Sequence, residues 1–215
     1  MFEIQCRKWY DDPIQSQDAE AIVKEINEYQ QSNIQMKMKL KKGEKDEVLE
    51  KFDSEVNEVV AHSDLIKSLG CKDLDIRHWN DIFKRMESNN SAAELRDLNL
   101  RRMIDDRAED HQEAIMEIAG LAKGEAELTR QMNEVKGRWE TREFVVAPYR
   151  DSKDRYIIKE VEDVITELED DIMAVQAILS SRYITQIKGI IGVEEWETKL
   201  GNISDTIDEW MTFMR

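Results

Sequence analysis

The sequence predicts a mainly α fold, an elongated bundle of long antiparallel helices with one small β-hairpin. Three observations carry that expectation. Apolar residues recur at alternating spacings of four and three along most of the chain, which puts them on one stripe of a helix. The 215 residues include only two prolines and eight glycines, the residues least compatible with a helix interior. Charged residues make up 36% of the chain against 40% hydrophobic, a balance that suits long helices with a buried stripe and wide solvated faces. That apolar share is enough for a core and excludes wholesale disorder.

Taken in order, Pro13 and the polar run Gln15, Ser16, Gln17 and Asp18 read as a helix start. Ile22, Ile26, Tyr29, Asn33, Met36 and Leu40 then form a stripe that should end near Gly43. Asn33, the polar member, reads as a partly exposed position, the alternative being a residue that fixes register against a partner helix. A second helix from near Lys45 carries Leu49, Phe52, Val56 and Val59, then Leu65, Ile66 and Leu69 beyond a weak point at His62 and Ser63. Joined through Lys42, Gly43 and Glu44, the two helices make an antiparallel hairpin closed by Gly70, so residues 1–70 read as a first domain. Asp75 is positioned to cap a shorter helix over residues 76–86, with Ile76, Trp79, Ile82, Phe83 and Met86 inward. Residues 88–91 are a loop by composition. Leu95, Leu98, Leu100 and Met103 mark one or two helical turns.

The longest signal covers roughly residues 105–140. Ala114, Ile118, Leu121, Glu125, Leu128, Met132, Val135 and Trp139 keep the alternating spacing. A helix of about 35 residues would be about 50 Å long, with Gly120, Gly124 and Gly137 as weak points. The stretches 144–149 and 155–159 break the helical pattern on either side of a polar turn, and Pro148 lies in the first. They read as a β-hairpin near residues 143–159 that must pack on helices, because a lone hairpin is marginal in water. A further helix carries Val161, Ile165, Leu168, Ile172, Val175 and Leu179, and an apolar segment then ends at Gly192. The closing stripe is Trp196, Leu200, Ile203, Ile207, Trp210 and Met214, with Gly201 and Asn202 as an expected interruption. It reaches Arg215 without a cap, so the sequence reads as a piece of a longer rod. Residues 71–215 read as the second domain, a helical bundle containing the hairpin.

The net charge of −16 is the wrong sign for a free nucleic-acid-binding module. The basic run Lys37, Lys39, Lys41, Lys42 and Lys45 reads as a cationic helix end facing its dipole, the alternative being a docking patch for an acidic partner. Cys6 and Cys71 form neither a metal spacing nor a disulfide framework and suit a reducing, cytoplasmic compartment. No stretch has the apolar length of a signal peptide or a membrane span. The three histidines, His62, His78 and His111, form no HxxxH, HExxH or doubled Glu-x-x-His pattern, so no metal is expected. Phosphate-binding GxxxxGK[ST] and nucleophilic GxSxG motifs are absent. Paired acids such as Asp105 with Asp106 and Asp170 with Asp171 read as solvated helix faces. No catalytic or cofactor-binding residue is therefore assigned. The side chains expected to matter are packing residues: His78, Trp79, Trp139, Trp196, Leu200, Ile207 and Trp210.

Several ordered stretches carry a resemblance. Arg77-His78-Trp79 is followed by Leu95 to Leu100 (LRDLNL) and by AELTRQMNEVKGRW, which ends at Trp139. The hairpin stretch FVVAPYRDSKDRYIIK comes next, then LEDDIMAVQAILS, Ser181-Arg182-Tyr183, Trp196-Glu197 with Leu200, and Ile207-Asp208-Glu209-Trp210. This series resembles the N-terminal part of the linker, or heavy chain region 2, of dynein heavy chains, and its wording is closer to the axonemal type. It covers residues 69–215, and residues 1–70 would correspond to the more divergent neck. Where the family usually has Pro-Phe after the Ser-Arg-Tyr stretch, this chain has Gln186 and Ile187. The resemblance implies a mechanical role: a helical rod lying across a ring of AAA+ modules, bending and straightening with ATP turnover and passing the stroke to the tail. It implies as partners the AAA+ ring of the same heavy chain and dynein intermediate or light chains, with microtubules reached only through the parent chain. It also implies location in the cytoskeleton, in a cilium or flagellum axoneme. The breaks at residues 88–91, 148–154 and Gly192 become candidate bending points. The alternative is a spectrin-like or coiled-coil scaffold without motor function, which shares the stripes but gives no reason for the hairpin. A carboxylate enzyme built in a helical bundle would need inward Glu and His at matched levels, which the stripes do not offer.

Overall fold

The computed structural model describes residues 2–39, 46–150, 155–159 and 161–214. The chain divides into two compact units, Met1–Lys123 and Gly124–Arg215.

In the first unit, α1 (Phe2–Asp11) precedes the helix pair α2 (Ala19–Lys39) and α3 (Glu47–Ala61), and α4 (Ser63–Leu69) follows. The sequence reading missed α1. Phe2 and Trp9, seven residues apart, are its buried face. Phe2 meets Tyr29 edge-on at 4.7 Å and Phe52 at 5.2 Å, which seats α1 on the pair formed by α2 and α3. That pair is antiparallel. Near one end Asn33 Nδ2 donates to Asp53 Oδ1 at 2.7 Å and Lys37 Nζ sits 2.5 Å from the same oxygen. At the other end Gly70 lies so close to Ala19 that an added Cβ would come within 2.3 Å of the alanine methyl. Asn33 is thus buried at 2% exposure rather than partly exposed. An amide in that position needs a partner, and Asp53 supplies one. The expected turn at Lys42, Gly43 and Glu44, with the helix end at Gly43, lies outside the described residues. The break at His62 and Ser63 is present, as α3 stops at Ala61 and α4 starts at Ser63.

Asp75 caps α5 (Ile76–Arg85), accepting from the backbone N–H groups of Arg77 and His78. His78 Nδ1 in turn accepts from the Asp75 N–H, which closes a capping box. Trp79, Ile82, Phe83 and Met86 are buried, but Ile76 is 64% exposed, contrary to expectation. With 3.6 residues per turn it sits roughly 90° from the centre of the buried arc, and His78 takes the inward position instead. The helix ends in a Schellman turn, with Ser88 N–H bonded to Phe83 C=O and Glu87 N–H to Lys84 C=O. Glu87 holds the left-handed conformation there, at φ 51°. Because a side chain is strained in that region and glycine is not, Glu87→Gly is expected to raise stability by about 1 kcal/mol. An unchanged or lowered denaturation midpoint would contradict this.

A short α6 (Leu100–Asp105) ends at left-handed Arg107, and α7 (Gln112–Glu140) follows. The long helix therefore starts later than residue 105 and has 29 residues, about 43 Å. None of its three glycines interrupts it. Ile115 and Ile118 join the core of the first unit. The boundary between the units falls inside this helix.

In the second unit, the C-terminal part of α7 supplies Leu128, Met132 and Val135 to a core shared with α8 (Val161–Ser180) and α10 (Val193–Met214). Between α7 and α8 stands the expected hairpin, β1 (Val146–Pro148) antiparallel to β2 (Tyr156–Ile158), with Ala147 opposite Ile157. Tyr149 N–H to Arg155 C=O and Lys159 N–H to Val145 C=O extend the pairing at both ends. On α8 the buried face is Val164, Leu168, Asp171, Val175 and Ile178. Of the expected stripe, Val161, Ile165, Ile172 and Leu179 are flanking, half-buried positions. The short α9 (Lys188–Ile191) turns into α10 through Gly192, at φ 63°. The expected interruption at Gly201 and Asn202 does not occur, and α10 runs through both.

Candidate functional site

Because the sequence points to packing rather than chemistry, the site is the set of contacts that fix the helices. In the first unit His78 and Trp79 are buried, at 3% and 2% exposure. Trp79 lies tilted against Phe83 with ring centroids 5.8 Å apart. In the second unit Trp196, Leu200 and Ile207 are buried on α10, and Lys199 Nζ lies 4.8 Å from the Trp196 ring. Trp139 is half-buried. Trp210 departs from the buried stripe and remains 37% exposed. It belongs to the last turns of α10, beyond Ile207, the last buried residue of that helix among those described.

The structure adds two side-chain clusters whose central residues the sequence reading placed but did not connect to their partners. The first is built on Asp171, which the sequence places with Asp170 on a solvated helix face: Asp170 is exposed, but Asp171 is only 4% exposed on α8, because donors from the end of α7 face it. Its carboxylate accepts from Arg138 Nε at 3.1 Å and from Trp139 Nε1 at 2.7 Å, and the Arg138 guanidinium makes a second contact. That hydrogen bond to Asp171 is the main reason the Arg138 guanidinium is held above its ordinary pKa. One turn away, Arg142 pairs with Glu167. The partners run in opposite directions along the chain, so the two pairs form an antiparallel clasp between the end of α7 and the middle of α8. The hairpin is the connection that reverses the chain between them. A carboxylate with three donors is a well-satisfied buried acid, and this arrangement fixes register as well as contact.

The second cluster is built on His62, 7% exposed at the junction of α3 and α4. Its Nδ1 lies 2.6 Å from the Tyr10 hydroxyl and its Nε2 meets Glu109. One tautomer satisfies both contacts: Tyr10 O–H donates to Nδ1, and Nε2–H donates to the Glu109 carboxylate. Burial, followed by the charge of Glu58, pushes the Tyr10 hydroxyl well above its ordinary pKa. It therefore stays protonated and able to donate. His62 ties α1, the α3–α4 junction and the turn before α7 together, a role that a lone histidine in the sequence does not announce.

A third polar contact carries a pH dependence. Hydrogen bonds from Lys37 and then Asn33 hold the Asp53 carboxyl below its usual 3.8. A depressed folded-state value means that the contribution is complete above about pH 4 and is lost as pH falls through the folded value. Stability followed from neutral to acid pH is expected to fall less steeply in Asp53→Asn than in the parent chain. Superimposable pH profiles would contradict this.

Cys6 and Cys71 are both free thiols. Burial and the nearby Glu55 and Glu58 push Cys6 up to about 11, so it is a poor nucleophile at neutral pH. Among the described residues no group of three or more His, Cys, Asp or Glu is arranged to hold a metal ion. Among them, too, no helix is long and apolar enough to cross a membrane. The arrangement can hold helices in fixed register.

Comparison with known proteins gives a consistent result. Residues 1–215 match the family described as dynein heavy chain, N-terminal region 2. The chain is 35% identical over 142 residues to dynein axonemal heavy chain 6 of Homo sapiens, covering 66% of this chain and 3% of that one. It is 26% identical over 212 residues to dynein axonemal heavy chain 1 of Mus musculus, covering 96% and 5%. A cytoplasmic dynein heavy chain of Caenorhabditis elegans is 28% identical over 151 residues, covering 70% and 3%. The chain thus spans only 3% to 5% of the length of these relatives.

Proposed function

This chain belongs to the dynein heavy chain N-terminal region 2 family, and from that premise we propose that it is a mechanical linker segment, carrying the ATP-driven stroke of an AAA+ ring to the tail in microtubule-based motility. The observation that carries the reading is the clasp of Arg138 and Trp139 on Asp171, reinforced by Arg142 on Glu167. A lever must transmit displacement without letting its helices slide, and partly buried, charge-assisted bonds centred on the buried Asp171 add directional resistance to sliding that apolar contact lacks. The same reading keeps His78, Trp79, Trp139, Trp196, Leu200 and Ile207 as packing residues, leaves the 37% exposed Trp210 outside that set, and makes residues 1–70 the neck side of the segment.

On this reading the partners are the AAA+ ring of the same heavy chain and dynein intermediate or light chains, with microtubules engaged only through the parent chain. The setting is the cytoskeleton. A ciliary axoneme is the setting implied by the axonemal wording of the Ser181-Arg182-Tyr183 and Pro148-Tyr149-Arg150-Asp151 stretches, while the relatives include both axonemal and cytoplasmic heavy chains.

The test places Asp171→Ala in the parent heavy chain and measures microtubule gliding together with ATP turnover. Gliding speed is expected to fall at least two-fold while turnover per head persists. Unchanged gliding with a confirmed loss of the clasp would favour a scaffold that carries no stroke.

A further inference from the structure

The second unit holds a groove of about 520 Å³ between the hairpin, the first turn of α8 and the last turns of α10. One of its walls is the apolar face of α10. Ile207, Trp210 and Met211 stand at i, i+3 and i+4 and so share one face. Ile207 is in the core, whereas Trp210 and Met211 are 37% and 36% exposed. Tyr149, Ile157 and Ile158 line it from the hairpin. The charged side chains among its described lining residues are Glu162 and Asp163, both exposed at the start of α8. Their position complements the α8 dipole, and it also leaves two negative charges on the rim of an apolar trough.

We infer that this groove docks a cationic amphipathic helix supplied by another polypeptide. Trp210 and Met211 stand exposed above the buried Ile207, an apolar step that a facing helix can cover with its own stripe. A half-exposed Trp beside a half-exposed Met is the composition of an interface anchor. The rim selects the sign of the occupant, since lysine or arginine flanking that stripe would meet Glu162 and Asp163. A second copy of this chain is a poor occupant, because it would bring another net charge of −16 against the same acidic rim. The inference does not depend on the linker reading.

The test uses the 215-residue chain and two labelled helical peptides of about 15 residues with the same leucine stripe, one flanked by lysines and one by glutamates. By fluorescence anisotropy at low salt, the lysine peptide is expected to bind saturably, and at least ten-fold more tightly than the glutamate peptide. Glu162→Gln with Asp163→Asn should weaken the lysine peptide at least ten-fold, as should Trp210→Ser. Glu20→Gln with Glu28→Gln on α2 should not. Equal binding of both peptides, no binding, or equal loss in the α2 variant would overturn the proposal. So would concentration-dependent dimerisation abolished by Trp210→Ser, which would make a second copy the occupant. Should Trp210→Ser prove unfolded by circular dichroism, the Glu162 and Asp163 variant decides alone.

Discussion

Trp79→Ala is expected to lower the stability of this chain by about 3–5 kcal/mol, the usual range for truncating a buried tryptophan. Trp79 is 2% exposed and packs against Phe83, with Ile82 fully buried beside it. Removing the indole forfeits its transfer energy and its ring contact, and it leaves a space that α5 cannot close without moving. The capping box of Asp75 and His78 pins the start of that helix, so relaxation is limited. Trp210→Ala serves as the contrast. With the ring 37% exposed, about 1–2 kcal/mol is expected, because less apolar area returns to water. Chemical denaturation of both variants measures the difference. Equal losses would show that burial is not what separates the two tryptophans.

Asp171→Ala should cost about 2–4 kcal/mol. Breaking a buried ion pair by removing one partner costs about 3–5 kcal/mol when the remaining charge is also buried. The Arg138 side chain is 43% exposed and can be partly rehydrated, which lowers that figure. The Trp139 N–H loses its acceptor, and that raises it again by about 1 kcal/mol. Asp170→Ala, one residue away on the exposed side, should change stability by no more than about 0.5 kcal/mol. In a double-mutant cycle, Arg138→Ala is expected to add little once Asp171 is gone. Full additivity would mean that the clasp contributes nothing as a unit.

Much of the fold was legible because periodicity and breakers are local signals. The capping role of Asp75, the break at His62, the hairpin around Pro148 and the turn at Gly192 all rest on residue types whose backbone preferences are strong. What escaped were polar residues on buried stripes. Val164, Leu168, Asp171, Val175 and Ile178 step by four and three, yet counting apolar residues alone passes over Asp171 and shifts the stripe to Val161, Ile165 and Ile172. Asn33 is the same case on α2. A carboxylate or amide on a stripe is buried only when a donor or acceptor faces it, and that partner lies on another helix at a distance in sequence. Arg138 and Asp53 are such partners, and no local pattern pairs them. The helix α1 escaped for another reason. Two turns give only one full repeat, Phe2 to Trp9, which is too little to establish a period. His62 is legible only in three dimensions, because Tyr10 and Glu109 come to it from far along the chain.

On the proposed linker reading, the continuity of α7 over its 29 residues is the property that matters most. It persists through Gly120, Gly124 and Gly137 because its two halves each contribute to a core, Ile115 and Ile118 to one and Leu128, Met132 and Val135 to the other. Packing of this kind outweighs the propensity penalty of about 1 kcal/mol per glycine.

The most direct measurement of the mechanical reading is the displacement produced per stroke by the parent heavy chain in an optical trap, with and without Lys123→Pro. Lys123 is exposed, and proline there removes a helical hydrogen bond and kinks α7 at a cost of about 3 kcal/mol. The lever account predicts a shortened displacement while ATP turnover continues. A stroke of unchanged length in a chain whose α7 is demonstrably kinked would contradict it.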